Sequence, residues 1–481
     1  MGASTATISP LGAGVCKSVT LMSETGLSFF DAGRVRPVAV PGPAHNGRRR
    51  HHDVPDQASD ATWDAACVVL ALFGAALAAR LSPLEESAFF FSALGLSCVS
   101  FLVLACRLLL GSPRAGLVGW GFSACVGVAV LARLVVLTGP PLLSTDVYRY
   151  VLDGRAGLVG LDPYALAPDD PSLAALHDAE TARINNAHVP TIYPPAAHLF
   201  FRAVAALGGG STSIRAALLG VDLAIAGLLL VWLRRTGRPA QRVFLYLANP
   251  LVLLEGVGNG HIDLLGTLLL LTAVVLLNAA RMASSAAFLA LAIGVKFVPA
   301  VVFPVWLRRS PLAVLVAASA TLLGLYLWIG SAAPSGSLFD YLRWWRFNAP
   351  LFGFLEAIGG PWFALGAALC LAGAVAVGSA RWLADRNLDA AVVWPLVALL
   401  VAVPSAYAWY LLWITPFLCG RSTLPALVWT QTILLTYTAF PSSAAGGGFD
   451  VPSAALFFEF ALPLSAAAWL ARGHRRPQAL V

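Results

Sequence analysis

The sequence predicts an all-α fold, a polytopic membrane helix bundle with about 12–14 transmembrane helices. Of its 481 residues, 58% are hydrophobic and only 11% are charged, whereas about a quarter of the residues of a soluble domain are charged. Apolar runs long enough to cross a hydrocarbon layer of roughly 30 Å recur from Trp63 to the C-terminus. Because lipid cannot satisfy backbone polar groups, these runs must form helices.

The apolar runs place the individual crossings. The predicted crossings are residues 64–81, 87–107, 116–138, 213–233, 241–256, 262–280, 311–331, 361–380, 423–440 and 453–472. Two further runs, 283–307 and 389–419, are interrupted around Lys296 and Pro404, so we predict hairpins of shorter helices there. With both hairpins counted, the chain crosses about fourteen times, and an even number puts both termini on one side.

The composition divides the chain into three parts. Residues 1–62 are polar and rich in Gly, Pro and Arg, which predicts a disordered cytosolic tail. Residues 63–472 form the membrane domain, and residues 473–481 form a second cytosolic tail. No apolar segment typical of a cleaved signal peptide precedes Trp63. The net charge of +7 comes largely from arginines that flank apolar runs, so we expect it to orient helices rather than to bind nucleic acid.

The positive-inside rule decides which loops share a side of the membrane. The arginine-rich loops fall together on the cytosolic side only if residues 192–207 do not cross. That segment is short and carries His198 and Arg202, so we assign it as a juxtamembrane or re-entrant helix on the outer side. The segment 139–195, called the 139–195 loop below, is then the long loop of the outer face and is predicted to carry the catalytic groups.

The outer loops concentrate groups suited to chemistry between a lipid-borne phosphate and a polar acceptor. They carry Asp146, Tyr148, Arg149, Asp153, Arg155, Tyr193, Glu255, Asn259, His261, Asp263, Tyr407, Trp409 and Tyr410. To move a sugar from a lipid phosphate to a hydroxyl, an aspartate must take the hydroxyl proton, an effect worth about 10²–10⁴-fold. Cations must stabilise the charge that grows on the departing phosphate. The outer face supplies both kinds of group.

Lys296 is one of two lysines in a chain that otherwise uses arginine, the other being Lys17. It lies at the break of the 283–307 hairpin, near the predicted outer face. A compact ammonium at that depth could bind a lipid phosphate. The alternative is a snorkelling lysine that anchors the hairpin.

At these residues the chain resembles the GT-C superfamily of integral-membrane glycosyltransferases, especially the bacterial branch of polyprenol-phosphate-mannose-dependent mannosyltransferases. The resemblance spans roughly residues 116–420 and rests on the order and spacing of several short motifs. These are Thr145-Asp146-Val147-Tyr148-Arg149-Tyr150, Asp153-Gly154-Arg155, Thr191-Ile192-Tyr193-Pro194-Pro195, Asn249-Pro250-Leu251, Asn259-Gly260-His261-Ile262-Asp263, and Lys296-Phe297 followed by Pro299.

The resemblance implies a sugar donor built on a polyprenyl phosphate and a base at the start of the first long outer loop. It assigns the base role to Asp146 and puts His261, Asp263 and Lys296 near the donor phosphate. Two features depart from the family. Two apolar helices precede the one that leads into the loop, and no paired Asp-x-Asp occurs at Asp146. No metal site or cofactor is therefore indicated, although the chemistry is compatible with a divalent metal.

Each candidate residue also has a structural alternative. Asp146 could cap a helix, since Ser144 and Thr145 beside it are also good N-cap residues. Asp153 and Arg155 could pair within the loop, a surface interaction worth little.

The 139–195 loop supplies two tyrosines and two arginines as substrate-binding candidates. Tyr193 precedes two prolines that would stiffen the entry to a helix, and we keep it as a substrate-binding candidate with Tyr148. We expect Arg149 and Arg155 to share the charge of the leaving phosphate with His261 and Lys296.

We therefore predict an inverting glycosyltransferase of the bacterial inner membrane with its catalytic loop facing the periplasm. It would move a hexose, expected to be mannose, to a glycan, lipid or protein acceptor. Two other functions remain open at this point. A transporter or flippase also has many helices and broken hairpins, although its site would lie near the midplane. A polymerase or ligase of lipid-linked glycan would differ only in the size of its product.

Overall fold

A computed structural model describes residues 57–111, 117–329, 335–444, 446 and 448–474. Its α-helices are α1 (Gln57–Ala78), α2 (Ser87–Leu110), α3 (Gly119–Leu137), α4 (Asp146–Leu158), α5 (Pro195–Ala206), α6 (Ser211–Arg235), α7 (Phe244–Leu247), α8 (Asp263–Asn278), α9 (Met282–Val295), α10 (Phe303–Leu307), α11 (Pro311–Ile329), α12 (Ser335–Trp344), α13 (Pro350–Trp382), α14 (Leu388–Ala402), α15 (Leu424–Thr432), α16 (Ala439–Ala444) and α17 (Ser453–His474). The described residues contain no β-strand, so the all-α prediction is confirmed.

Within the described residues, six helices are long and apolar enough to cross a membrane. These helices are Asp60–Ala78, Ser87–Leu110, Gly119–Leu137, Ser211–Arg235, Pro350–Trp382 and Ser453–Arg472. A seventh span results if the segments Val252–Gly258 and Asp263–Asn278 are taken together, although the chain bends by 113° between them. A polytopic membrane protein is thereby confirmed. The number is below the predicted 12–14 because several apolar runs fold as shorter helices, among them Met282–Val295 and Leu388–Ala402.

Both predicted hairpins are broken where the sequence indicated. Helix α9 ends at Val295, and the backbone of Lys296 is extended, with φ −161° and ψ 142°. A 3₁₀ segment follows over Val298–Val302 before α10 begins. In the second hairpin, α14 ends at Ala402 and a 3₁₀ segment covers Ala408–Phe417. Prolines in these breaks lack the N–H that would continue the helix.

The segment predicted not to cross forms α5, which has twelve residues. At 1.5 Å per residue it is about 18 Å long, well short of the hydrocarbon thickness. It packs closely on α4, because a Cβ at Gly154 would lie 2.5 Å from the carbonyl oxygen of Phe201. Glycine at this position therefore lets α4 and α5 approach each other.

A buried ion pair joins α3 and α6 inside the bundle. The Arg133 guanidinium donates to Asp222, and both side chains are fully buried. The Tyr246 hydroxyl also donates to Asp222, at 2.7 Å. Arg202, by contrast, donates to the carbonyl oxygen of Gly157. A charge inside a membrane bundle needs such a partner because solvation is absent.

Several arginine-rich loops meet one another. Arg308 donates to the carbonyl oxygens of Ala380 and Arg381 and to the Asp385 carboxylate. Arg238 donates to Asp389, and Asn387 donates to Ser422 at 2.8 Å. These loops are joined at the end of α6 that carries Arg235, whereas α6 begins at Ser211 beside the 139–195 loop. The packing thus brings several of the basic loops together at one end of α6.

The predicted tails lie mostly outside the described residues. The described chain begins at Gln57, where α1 starts, so the tail predicted over residues 1–62 is outside it up to residue 56. The tail predicted over 473–481 is outside it from residue 475 onward.

Candidate active site

A cavity of about 700 Å³ lies beside the 139–195 loop. Its walls come from segments distant in sequence: the start of the loop, the end of the loop, the break after α9, the segment after α12, and the two segments around Tyr407 and Phe440. The polar and aromatic side chains that line it are Ser144, Thr145, Asp146, Arg149, Arg183, Asn185, Asn186, Tyr193, Lys296, Tyr341, Trp345, Phe347, Tyr407, Trp409, Tyr410, Thr436, Tyr437, Phe440 and Phe449.

Asp146 is the first residue of α4, and its side chain reaches the cavity with 24% of its surface exposed. The N-cap residue of the helix is Thr145, so Asp146 does not have the capping position that the alternative required. The Tyr193 hydroxyl donates to Asp146 Oδ2 at 3.3 Å. Burial raises the pKa of Tyr193 well above its usual range, which keeps this hydroxyl protonated. Asp146 is thus a carboxylate at a cavity wall with one oxygen held.

Lys296 lines the same cavity from the break after α9. Its Nζ donates to both carboxylate oxygens of Asp263, at 3.1 and 3.0 Å, and lies 4.2 Å from the ring centroid of Tyr410. Asp263 is fully buried and also accepts from Trp413 Nε1 at 2.7 Å. The lysine is therefore fixed by a buried carboxylate rather than extended toward an interface, and 14% of its side chain remains exposed.

His261 lies at the sharp bend that leads into α8. A π-helical segment covers Val252–Gly258, and Gly260 follows with φ +75°. A Cβ at Gly260 would lie 2.7 Å from Arg215 Cγ, so both the backbone conformation and the space require glycine. His261 itself is fully buried, and its ring stacks on Trp409 with centroids 4.2 Å apart. The bend therefore places His261 behind the cavity wall. Single π-helical turns of this kind are frequent at functional sites.

Two carboxylates flank His261. Its Nε2 lies 3.1 Å from Glu255 Oε2, and its Nδ1 lies 3.8 Å from Asp146 Oδ2. Glu255 is fully buried and accepts from the Tyr437 hydroxyl and from Asn259 Nδ2. Asn259 also accepts from the backbone N–H of Leu143 at 3.0 Å. This network ties the bend before α8 to the start of the 139–195 loop.

Arg149 lines the cavity, but its guanidinium is engaged with the loop backbone. It donates to the carbonyl oxygens of Val189, Asn185 and Asn186 at 2.8–3.0 Å. Tyr148 is 2% exposed and is not a lining residue. Arg149 thus organises the loop that forms the wall, while Tyr148 packs beneath it.

Arg155 and Asp153 lie away from the cavity. Arg155 pairs with Asp178 at 2.7 Å and donates to the carbonyl of Leu176 at 3.0 Å, so it binds within the loop, but with Asp178 and not Asp153 as its partner. The hydrogen bond from the Arg155 guanidinium lowers the pKa of Asp178 to about 2. Sequence position could not separate Arg155 from Arg149, because both lie on one short helix whose faces only the packing distinguishes.

Asp153 is 4% exposed, and burial raises its pKa from 3.8 to about 6. The folded state binds the Asp153 proton more tightly than the unfolded state does. The resulting stabilisation, up to about 3 kcal/mol, is present below about pH 4 and is lost as the pH rises through about 6. Asp153→Asn is expected to raise the thermal unfolding temperature in detergent at pH 8 and to change it little at pH 4.5. If the unfolding temperatures of the variant and the native protein differ equally at both pH values, burial of the Asp153 carboxylate is not the cause of the change in stability.

Two sets of lining residues escaped the sequence analysis. Arg183, Asn185 and Asn186 sit in a polar stretch with no motif, and Tyr437 and Phe440 fall in an apolar run predicted as a crossing. No local signal identified them, since they reach the cavity through folding alone. Within the residues that the structure describes, no three His, Cys, Asp or Glu side chains are grouped so as to hold a metal ion.

The chain is similar in sequence to known mannosyltransferases. A family model described as alpha-(1->6)-mannopyranosyltransferase, N-terminal domain, matches residues 64–309, about half of the chain. A curated protein named alpha-(1->6)-mannopyranosyltransferase A, from Mycobacterium tuberculosis (strain ATCC 25618 / H37Rv), is 29% identical over 187 residues. That alignment covers 36% of the chain and 35% of the relative, so the match spans about a third of the relative's length. No solved structure matches the chain.

Proposed function

The chain belongs to the alpha-(1->6)-mannopyranosyltransferase family, and from that membership we propose that it is a membrane glycosyltransferase that transfers mannose from a polyprenyl phosphate. The acceptor is a hydroxyl of a glycan, lipid or protein. The observation that carries the proposal is that Asp146 and Lys296 line one cavity. A base for the acceptor and a cation for the leaving phosphate are thus available to one bound pair of substrates.

Asp146 acts as the base. The acceptor hydroxyl oxygen attacks the anomeric carbon, and its proton passes to the Asp146 carboxylate. The bond between that carbon and the phosphate oxygen breaks, and both bonding electrons leave with the polyprenyl phosphate. Attack from the side opposite the leaving group inverts the anomeric centre. A carboxylate 24% exposed at a cavity wall can reach both a substrate hydroxyl and solvent.

Lys296 stabilises the leaving phosphate. Its ammonium is held by Asp263 and Tyr410, so no reorganisation is needed when charge develops on the phosphate oxygens. The pairing with Asp263 offsets part of its charge but leaves part of the side chain exposed to the cavity. Arg183 is a further cation at the cavity wall, near the amides of Asn185 and Asn186.

We assign the cavity to the outer face of a bacterial inner membrane. The support is the arrangement of α6, which begins beside the 139–195 loop and ends among the arginine-rich loops that bind one another. Under the positive-inside rule those loops face the cytosol. The cavity then faces the periplasm, where lipid-linked sugars rather than nucleotide sugars serve as donors.

The nature of the donor is tested with the native protein in isolated membranes. Polyprenyl-phosphate mannose and nucleotide-linked mannose, each radiolabelled, are supplied in parallel to membranes with and without the protein. Label is expected to enter a new product only from the polyprenyl phosphate and only when the protein is present. Label that merely changes side while remaining on the donor would instead favour a flippase, and transfer from the nucleotide sugar alone would contradict the proposed donor.

A further inference from the structure

His261 takes no part in the reaction as described so far, although it lies directly behind Asp146. The imidazole is fully buried and is not among the residues that line the cavity. It therefore cannot bind the donor phosphate in this arrangement, which was the role that the resemblance implied. Its two nitrogens instead face two carboxylates, Asp146 at 3.8 Å and Glu255 at 3.1 Å, and neither nitrogen has a hydrogen-bond partner among the described residues.

The ring lies at the end of a stack of aromatic side chains. Trp409 stacks on His261 at an interplanar angle of 11°, Tyr407 stacks on Trp409 with centroids 4.4 Å apart, and Phe347 stacks on Tyr407 at 4.6 Å. Glu255 is equally fixed, since it accepts hydrogen bonds from two buried side chains. A ring with this support can orient a neighbour without moving itself.

The two oxygens of Asp146 have different surroundings. Oδ2 accepts from the Tyr193 hydroxyl at 3.3 Å and is the oxygen that faces His261 Nδ1. No side chain in the described part of the chain hydrogen-bonds to Oδ1, so this oxygen is available to a substrate. The separation of 3.8 Å exceeds a hydrogen bond, and such contacts commonly tighten when substrates bind.

We propose that His261, backed by Glu255, is a positioning residue that holds Asp146 through Oδ2 so that Oδ1 meets the acceptor hydroxyl. This inference rests on the proposed function, because it assumes that Asp146 is the base. In the substrate-bound enzyme, Nε2 turns its contact with Glu255 into a hydrogen bond and Nδ1 does the same with Asp146 Oδ2, so the ring and the carboxylate hold each other in place. A misplacement of the base by about 1 Å is enough to lower a rate about 10²-fold.

A pair of nearly isosteric substitutions separates the two nitrogens of the ring. The side-chain amide of Asn occupies the position of Nδ1, so His261→Asn keeps a polar group toward Asp146 and loses the contact with Glu255. The amide of Gln reaches the position of Nε2, so His261→Gln keeps the contact with Glu255 and loses the one with Asp146. Maximal rate and donor KM are measured with radiolabelled polyprenyl-phosphate mannose, after folding is checked by thermal unfolding in detergent.

We expect His261→Gln to lower the maximal rate about 100-fold and His261→Asn to lower it less than about 10-fold. The donor KM should stay unchanged in both, because His261 does not line the cavity. A purely structural role in keeping Glu255 paired would give the reverse order. That reverse order, or a donor KM that rises in both variants, would overturn the positioning role.

Tyr193→Phe tests the same claim if the His261 variants do not fold, since it removes the other group bound to Oδ2 while keeping the ring. The maximal rate is expected to fall about 10-fold. An unchanged rate would show that Oδ2 need not be held. Failure of the proposed function is recognised separately, by a native protein that transfers no label or by a fully active Asp146→Asn variant, and either result also removes the inference.

Discussion

Asp146→Asn is expected to lower mannose transfer by at least about 10³-fold while the protein folds normally. The amide has nearly the same shape as the carboxylate and can still accept from the Tyr193 hydroxyl, so the local packing is kept. It cannot take up the proton of the acceptor hydroxyl, because an amide is not a base at neutral pH. The measurement is incorporation of radiolabel from polyprenyl-phosphate mannose into product in membranes that contain equal amounts of each protein.

The matched control is Asp169→Asn, which makes the same chemical change in the same loop. Asp169 is exposed and does not line the cavity, so this variant should transfer at the native rate. Equal losses in both variants would point to a general effect on the loop. A fully active Asp146→Asn protein would remove Asp146 from the role of base.

Loss of the Lys296 ammonium is expected to lower transfer about 10²–10³-fold, the usual effect of removing one group that stabilises developing negative charge. The single change Lys296→Met would also leave Asp263 buried without its cation, which is strongly destabilising. The double variant Lys296→Met with Asp263→Asn avoids that cost, because the neutral amide no longer needs a charged partner. It should unfold near the native temperature and still transfer poorly.

Lys296→Arg provides the comparison that isolates charge. It keeps the cation, although the planar guanidinium fits the contacts of a compact ammonium imperfectly. We expect it to retain at least about ten times the rate of the double variant. If the double variant is as active as the native protein, Lys296 serves only to anchor the hairpin, as the structural alternative for this residue held.

The interrupted helices could be predicted because their causes are local. Pro404 and the residues around Lys296 stop a helix through backbone geometry, wherever the rest of the chain lies. The length of α5 was predictable for a similar reason, since His198 and Arg202 make that segment a poor crossing.

The assignment of groups to the cavity could not be predicted in the same way. Asp146, Arg149, Tyr193 and Lys296 line it, whereas Arg155 pairs inside the loop and His261 lies behind the wall. All of these residues are polar and lie in the predicted outer loops. Which of them reaches a substrate depends on how each helix is rotated about its axis and on how the loop folds back on itself. Neither can be read from composition or residue spacing.

The sequence by itself determined that the chain is a helical membrane protein with its helix breaks near Lys296 and Pro404, because the cost of exposing backbone or charge to lipid acts residue by residue. Only the tertiary structure decided that Tyr437 would bind Glu255 across 182 residues, and that His261 would lie between Glu255 and Asp146. Contacts of this kind arise from packing several helices at once, and their energies depend on distances and angles that are set after the chain has folded.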